Sequence, residues 1–163
     1  MKRAVPPPAA DELSLLRAFL DFQRATLRWK AHGVSDTDAR RALLPTSRLL
    51  TLAGLIRHLT AVERGWFRIV LGGESIRDLG GGDDPKAMRV SDSDRLSDLI
   101  AAYEVECAEA DKVIASMDLD DVARMPGHAE TLRWVMLHMI EETARHNGHA
   151  DLLRESIDGA TGE

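Results

Sequence analysis

The sequence predicts an all-α protein, a four-helix bundle with a short extra helix after the first long one. Four long stretches carry apolar residues at helical spacing, and breaks containing proline or glycine separate them. No stretch has the pattern of a β-strand or a hairpin. Hydrophobic residues make up 44% of the chain and aromatic residues only 4%, so Leu, Ala and Val must build the core. With 163 residues the chain has the size of a single domain, residues 1–163.

The first predicted helix covers residues 9–31 and follows an extended, proline-rich lead-in over residues 1–8. Asp11 and Glu12 are favourable at its positively polarised start, and Gly33 ends it. Its predicted apolar face consists of Leu13, Leu16, Phe19, Leu20 and Leu27.

A short helix is predicted next, because Ser35 begins a sequence that suits a helix cap. We expect this helix to extend to about Leu43, before the break at Pro45. The second long helix is predicted over residues 50–71, and Gly72 ends it. Its apolar face consists of Leu52, Leu55, Leu59, Val62, Trp66, Ile69 and Val70, and His58 lies at the edge of that face.

A loop is predicted over residues 72–90, because residues 80–85 combine three glycines, two aspartates and a proline. A loop of this length could cover a binding site. The third long helix is predicted over residues 91–117 and the last over residues 131–155, before a polar tail at residues 158–163. The inward residues predicted for the third helix are Leu96, Leu99, Ile100, Tyr103, Val113 and Ile114.

Composition argues against several classes of partner. The net charge of −6 disfavours nucleic acid, because phosphate binding needs a basic surface. No apolar run is long enough to span a bilayer, and the N-terminus lacks the apolar segment of a signal peptide. Cys107 is the only cysteine, so neither an internal disulfide nor a zinc site built from several thiolates can form. We therefore expect a cytoplasmic protein without nucleic-acid or membrane partners.

The last helix carries polar residues where its core-facing stripe should be apolar. At about 100° per residue, the stripe collects Leu132, Val135, Met139, Ala150, Leu153 and Ile157. His146 falls in the middle of this stripe, with Glu142 and His149 beside it. A carboxylate buried there needs compensation, which either a bound cation or a buried hydrogen-bond network would provide.

His58, Glu142 and His146 form the strongest candidate metal site. Helical bundles build such sites from inward side chains on facing helices, and zinc binds both imidazole nitrogen and carboxylate oxygen. Three protein ligands would leave one position open for water or substrate. Other sets stay possible on spacing alone: His146 with His149, His138 with Glu142, or Glu63 in place of Glu142.

Other polar and aromatic residues have simpler interpretations. Arg145 could bind a substrate carboxylate, or it could form a surface ion pair with Glu141 or Glu142. His32 and His128 fall in predicted loops, where we expect them to be solvated. We expect the three tryptophans to serve packing: Trp29, Trp66 and Trp134.

Two long motifs carry a family resemblance. Residues 57–67 read Arg-His-Leu-x-x-x-Glu-Arg-Gly-Trp-Phe, and residues 132–151 read Leu-Arg-Trp-Val-x-x-His-Met-Ile-Glu-Glu-Thr-Ala-Arg-His-x-Gly-His-Ala-Asp. With these motifs the chain resembles the DinB/YfiT-like superfamily of four-helix-bundle metalloproteins, most closely its actinobacterial branch. The resemblance covers nearly the whole chain.

The resemblance implies a divalent metal, often zinc or nickel, held by three residues. The superfamily's histidine in the second long helix matches His58, and its pair at i and i+4 in the last helix matches Glu142 and His146. Many members have histidine at the position of Glu142. The His-Glu-His version is similar to that of the mycothiol-dependent maleylpyruvate isomerases. Supporting or substrate-binding roles then remain for Arg145, His149, His138 and Glu63.

The function implied by the resemblance is that of a metal-dependent thiol S-transferase or isomerase. In relatives of this kind a low-molecular-weight thiol, mycothiol or bacillithiol, is the co-substrate and attacks an electrophilic small molecule. The alternatives are a metal-binding, stress-related helical protein without catalysis, and a metal-dependent hydrolase that uses metal-bound water. Homodimers are common in the superfamily, so a homodimer is a further expectation.

Overall fold

A computed structural model describes residues 3–76 and 85–161 of the chain. Its helices are α1 (Glu12–Ala31), α2 (Asp36–Ala39), α3 (Leu52–Glu63), α4 (Leu96–Ala115) and α5 (Leu132–Asp158). A π-helical segment, Arg64–Leu71, continues α3 without a break, and Pro85–Met88 form a short 3₁₀ turn. In the part of the chain described, the only β-type pairing is an isolated bridge between Val122 and Thr131. The predicted all-α bundle with a short extra helix is therefore confirmed.

Polar caps set the starts of the helices. The side chain of Asp11 accepts a hydrogen bond from the amide of Ser14, and Thr51 and Thr131 cap α3 and α5 in the same way. Helix α4 has no such cap of its own. Instead Asp36 in α2 accepts the amide of Leu96 at 2.8 Å. This hydrogen bond is the main cause that lowers the pKa of Asp36.

The helices pack in two pairs, with α1 against α5 and α3 against α4, and α3 also contacts α5. Two apolar clusters form the core, one at each end of the bundle. The first contains Leu27, Leu55, Leu59, Tyr103, Ala150 and Leu153, and the second contains Leu20, Phe67, Ile114, Leu132, Val135 and Met139. Along α5, buried polar residues separate the two clusters: Thr143, His146 and Asn147. The functional candidates therefore lie midway along the bundle.

A buried ion pair crosses the bundle near the start of the π-helical segment. The guanidinium of Arg24 binds the carboxylate of Glu63 through two hydrogen bonds, Nε to Oε1 at 2.7 Å and Nη2 to Oε2 at 2.6 Å. Its Nη1 also contacts Asp111 on α4 at 2.8 Å. Arg24 and Glu63 are both buried, so each compensates the charge of the other.

Some predicted boundaries and one core residue were wrong. Helix α2 ends at Ala39 and not near Leu43, and Arg40, which follows it, bonds to the backbone carbonyl of Asp94. Helix α4 begins at Leu96, because the preceding residues form a turn in which the Ser91 amide bonds to Asp94. Phe19 is 46% exposed, since α1 buries only a narrow stripe containing Leu16, Leu20 and Leu27.

The other differences from the predicted helices are small. Helix α1 begins three residues later than predicted, at Glu12, because Asp11 is its cap. The last helix continues to Asp158 and ends at a left-handed Gly159. Most of the predicted loop at residues 80–85 lies outside the described residues. No helix in residues 3–76 or 85–161 combines the length and the apolar character needed to cross a membrane.

Candidate metal centre

His58, Glu142 and His146 meet in the middle of the bundle. The Nε2 atoms of the two histidines are 3.2 Å apart. Oε1 of Glu142 lies 3.3 Å from Nε2 of His58 and 3.0 Å from Nε2 of His146. Both histidines are buried and Glu142 is half-buried. The three atoms thus form a compact triangle of nitrogen and oxygen donors from two helices.

The dimensions of the triangle are close to those of the ligand atoms around a tetrahedral zinc ion. With bonds of 2.0–2.1 Å to nitrogen and oxygen, two ligand atoms of a tetrahedral ion lie about 3.3–3.4 Å apart. The three separations here, 3.0, 3.2 and 3.3 Å, are close to that value. Two imidazoles and one carboxylate are also a donor set that zinc accepts. The residues present therefore fit a divalent metal with a fourth position left open.

The spacing of residues along α3 and α5 produces this arrangement. Glu142 and His146 are four residues apart on α5, so their side chains project from the same face. Helix α3 presents His58 toward them because Leu55 and Leu59, on either side of it, anchor the helix in the core. The rings of His58 and His146 meet edge to face, with centroids 4.7 Å apart.

The pKa shifts of His146 and Glu142 both favour metal binding. Burial lowers the pKa of His146, and the neighbouring His58 and His149 lower it further, which outweighs the opposite effect of Glu142. Burial tends to raise the pKa of Glu142, but His146 and His58 outweigh this effect and the pKa lies below its ordinary value. A neutral imidazole and an ionised carboxylate are the forms that bind metals.

His149 supports His146 from behind. The Nδ1 atoms of the two rings are 3.2 Å apart. When Nε2 of His146 offers its electron pair to a metal, the ring proton is on Nδ1. Nδ1 of His146 then donates a hydrogen bond to Nδ1 of His149. A hydrogen bond of this kind fixes the ring orientation and the tautomer of a ligating histidine.

A cleft of about 580 Å³ opens beside the triad. His58 and Glu142 lie at one end of its lining, and the remaining lining residues are Val62, Gly65, Trp66, Ile69, Val70, Met125, His128 and His138. His138 and Trp66 were expected in supporting and packing roles, and both line this cleft. The ring of His138 contacts the rings of Trp66 and Trp134, with centroids 4.9 and 5.1 Å away.

His128 and Met125 also line this cleft, although the sequence did not predict it. Both lie in the loop before α5, which bonds to the end of the π-helical segment: the amide of Met125 donates to the carbonyl of Val70 at 3.0 Å. Nδ1 of His128 lies 3.1 Å from a carboxylate oxygen of Glu130. The short sequence distance from His128 to α5 was the one feature that could have suggested its position.

Three other residues that the sequence analysis considered lie apart from the triad. Arg145 forms a surface ion pair with Glu141, one of the two interpretations considered for it. Both carboxylate oxygens of Glu63 bind Arg24, so Glu63 does not take the place of Glu142 in the triangle. Cys107 is buried on α4, and burial raises the pKa of its thiol well above the usual range.

Comparison with known families agrees with this architecture. A search of curated proteins gives no significant match. Residues 15–159 match the family model described as mycothiol-S-transferase, which covers nearly the entire chain from α1 to the end of α5. The match is also consistent with the DinB/YfiT-like superfamily that the two sequence motifs indicated. The chain therefore belongs to the mycothiol S-transferase family.

Proposed function

We propose that this protein is a metal-dependent S-transferase that joins mycothiol to an electrophilic small molecule. The observation that carries the proposal is the triangle of His58, Glu142 and His146, whose dimensions suit zinc, at one end of a cleft. Family membership supports the thiol and the transfer chemistry. Zinc is the first choice of metal because the donor set and spacing suit it, and nickel is the second.

A zinc ion held by the triad would supply positive charge that favours the thiolate form of a low-molecular-weight thiol, whose free pKa is about 8.5. The chain's own residues would hold this centre in place. Glu142 contributes the negative charge, and His149 fixes the ring of His146 through the contact between their Nδ1 atoms. Val62 adds an apolar side chain to the cleft wall, one helical turn after His58.

The protein has no cysteine that could replace the external thiol. Cys107 is the only one, it does not line the cleft beside the triad, and its raised pKa keeps it protonated. In a transfer of sulfur, the thiol would therefore come from a co-substrate, which agrees with the name of the family. This proposal also places the protein in the cytoplasm, where low-molecular-weight thiols stay reduced.

Metal analysis together with a conjugation assay tests the proposal. We expect about one zinc or nickel ion per purified chain and its loss in His146→Ala. We also expect conjugate formation that requires both mycothiol and metal, with mycothiol omitted as the control. Metal-dependent product release without thiol would instead identify a hydrolase. Bound metal without turnover in either assay would identify a binding protein, and wild-type protein unable to bind zinc or nickel would refute the site.

A further inference from the structure

The end of the cleft away from the triad carries aromatic rings. Along α5 the side chains of Trp134, His138, Glu142 and His146 follow one another at intervals of four residues, so they form one row on the helix face. His138 is thus one turn, about 6 Å, from Glu142 along the helix axis. The opposite wall carries His58, Val62 and Trp66 at the same interval. Each row therefore passes from a candidate metal ligand to an aromatic ring.

The aromatic rings at this end form an ordered group. The rings of Trp134 and His138 are stacked, with an interplanar angle of 13°. Trp66 meets His138 at 64° and Trp134 at 52°, with centroids 4.9 and 5.4 Å away. Trp66 and His138 line the cleft, whereas Trp134 is not among its lining residues and is 47% exposed. Two aromatic side chains of this group, Trp66 and His138, thus line the cleft and contact one another.

The π-helical segment shapes the same end of the cleft. Gly65, Trp66, Ile69 and Val70 all belong to it and all line the cleft. π-Helical turns are rare and frequently occur at functional sites. Gly65 leaves open space, because a Cβ atom added there would have no neighbour within 4 Å. This wall therefore offers apolar side chains around an unfilled volume.

The side chains that line the cleft suit some classes of ligand better than others. Among the residues that the structure describes, the polar side chains lining this cleft apart from His58 and Glu142 are His128, His138 and Trp66, which has an indole N–H. A sugar or another polyhydroxylated group needs many hydrogen-bond partners, and these described lining residues offer few. A flat apolar or aromatic body, in contrast, gains from stacking on Trp66 and from contact with Ile69 and Met125.

We infer that the end of the cleft formed by Trp66, His138 and the π-helical segment binds the electrophile, and that it selects planar, aromatic electrophiles over small aliphatic ones. This inference rests on the proposed transferase function. For a chloroarene the reaction balances as follows. The thiol proton goes to solvent, the thiolate sulfur forms a bond to the ring carbon, and the carbon–chlorine bond breaks to release chloride with its electron pair.

A binding experiment tests the subsite without any catalysis. Zinc-loaded wild type, Trp66→Leu and Trp29→Leu are titrated with 1,3-dinitrobenzene in the absence of thiol, so that no conjugation takes place. Trp29 is a matched control because it packs with Arg3 and Lys30, outside this cleft. We expect Trp66→Leu to weaken binding about tenfold, and Trp29→Leu to bind as wild type does. Wild type that does not bind dinitrobenzene, or equal weakening in both variants, would overturn the inference.

A kinetic experiment tests the selectivity. The ratio of kcat/KM for chlorodinitrobenzene to that for iodoacetamide, each with mycothiol, should fall about tenfold or more in Trp66→Leu. The KM for mycothiol should be the same in Trp66→Leu as in wild type. An equal loss for both electrophiles, or a tenfold rise in the KM for mycothiol, would show that the aromatic end binds the thiol and would overturn the inference.

Gly65→Leu provides a second variant that does not depend on removing a packed ring. Its side chain should fill the cleft and lower the same ratio, whereas Gly148→Leu, at an exposed position of α5 with equally open space, should not. Unchanged selectivity in Gly65→Leu would count against the subsite. Binding of dinitrobenzene without conjugation of either electrophile would refute the transferase function while leaving the subsite intact. Conjugation by a wild-type protein that does not bind dinitrobenzene would refute the subsite while leaving the transferase function intact.

Discussion

Glu141 and Glu142 are neighbours in sequence, but their environments differ completely, and this difference allows a sharp test of the metal centre. Glu142 faces His58 and His146, whereas Glu141 forms a surface ion pair with Arg145. Changing each residue in turn to glutamine removes the same negative charge from two adjacent positions of α5. Only Glu142→Gln should weaken metal binding.

The expected magnitude follows from the role of Glu142 in the triangle. Loss of a partner behind a metal ligand costs about 10–100-fold in affinity, so loss of the only charged ligand should cost about 100-fold or more. A 100-fold weaker affinity removes about 2.7 kcal/mol of metal-linked stabilisation under saturating conditions. In a chain of this length, that loss corresponds to a metal-induced rise in Tm that is smaller by about 5–10 °C.

Thermal unfolding with and without zinc, and again with nickel, measures this difference. Comparing the metal-induced shift within each variant cancels any change that the substitution makes to the metal-free protein. We expect a full shift for wild type and Glu141→Gln and a strongly reduced shift for Glu142→Gln. If all three proteins gave the same shift, the metal would bind elsewhere and the assignment of the triad would be wrong.

Four further predictions concern the scaffold, each measured as the free energy of unfolding in denaturant. Glu63→Gln should lower it by about 3–5 kcal/mol, because the guanidinium of Arg24 would lose its buried carboxylate partner. Gly54→Ala should lower it by about 1–3 kcal/mol, since the new Cβ would come within 2.7 and 2.8 Å of two backbone carbonyl oxygens. Gly148→Ala, which meets no neighbour, should instead raise it by about 1 kcal/mol. The pKa of Asp36 is lowered in the folded state, so the stability that its cap gives α4 is present above about pH 3.9 and lost as the pH falls below it. The difference between wild type and Asp36→Asn should therefore shrink on acidification, and a constant difference would refute that role.

The helices and their order were predictable because the information is local. Caps such as Asp11 and Thr131 lie within a few residues of the amides that they bind, and the apolar stripe of α5 can be read from spacing alone. The predicted helix boundaries were wrong where a residue distant in sequence bonds to the end of the helix. Helix α4 begins at Leu96, and the group that bonds to its first amide is Asp36, 60 residues earlier in the chain.

The candidate site was only partly determined by the sequence. Spacing put Glu142 and His146 side by side on α5, but it left Glu63, His138 and His149 as competitors. In the structure His58 contacts Glu142 and His146, which lie 84 and 88 residues later in the chain. Glu63 instead binds Arg24, which lies 39 residues earlier. The structure also makes His128, from a loop, and Trp66, from the π-helical segment, lining residues of the cleft.

The sequence by itself therefore determined the all-α class, the long helices and the polar residues on the apolar face of α5, because helix formation and amphipathic spacing depend on neighbours a few residues away. Only the tertiary structure decided which of those polar residues meet, and at what distances. The packing of α3 against α5 sets the triangle of His58, Glu142 and His146. Such contacts depend on how two helices pack along their full length, which no local pattern in either helix specifies.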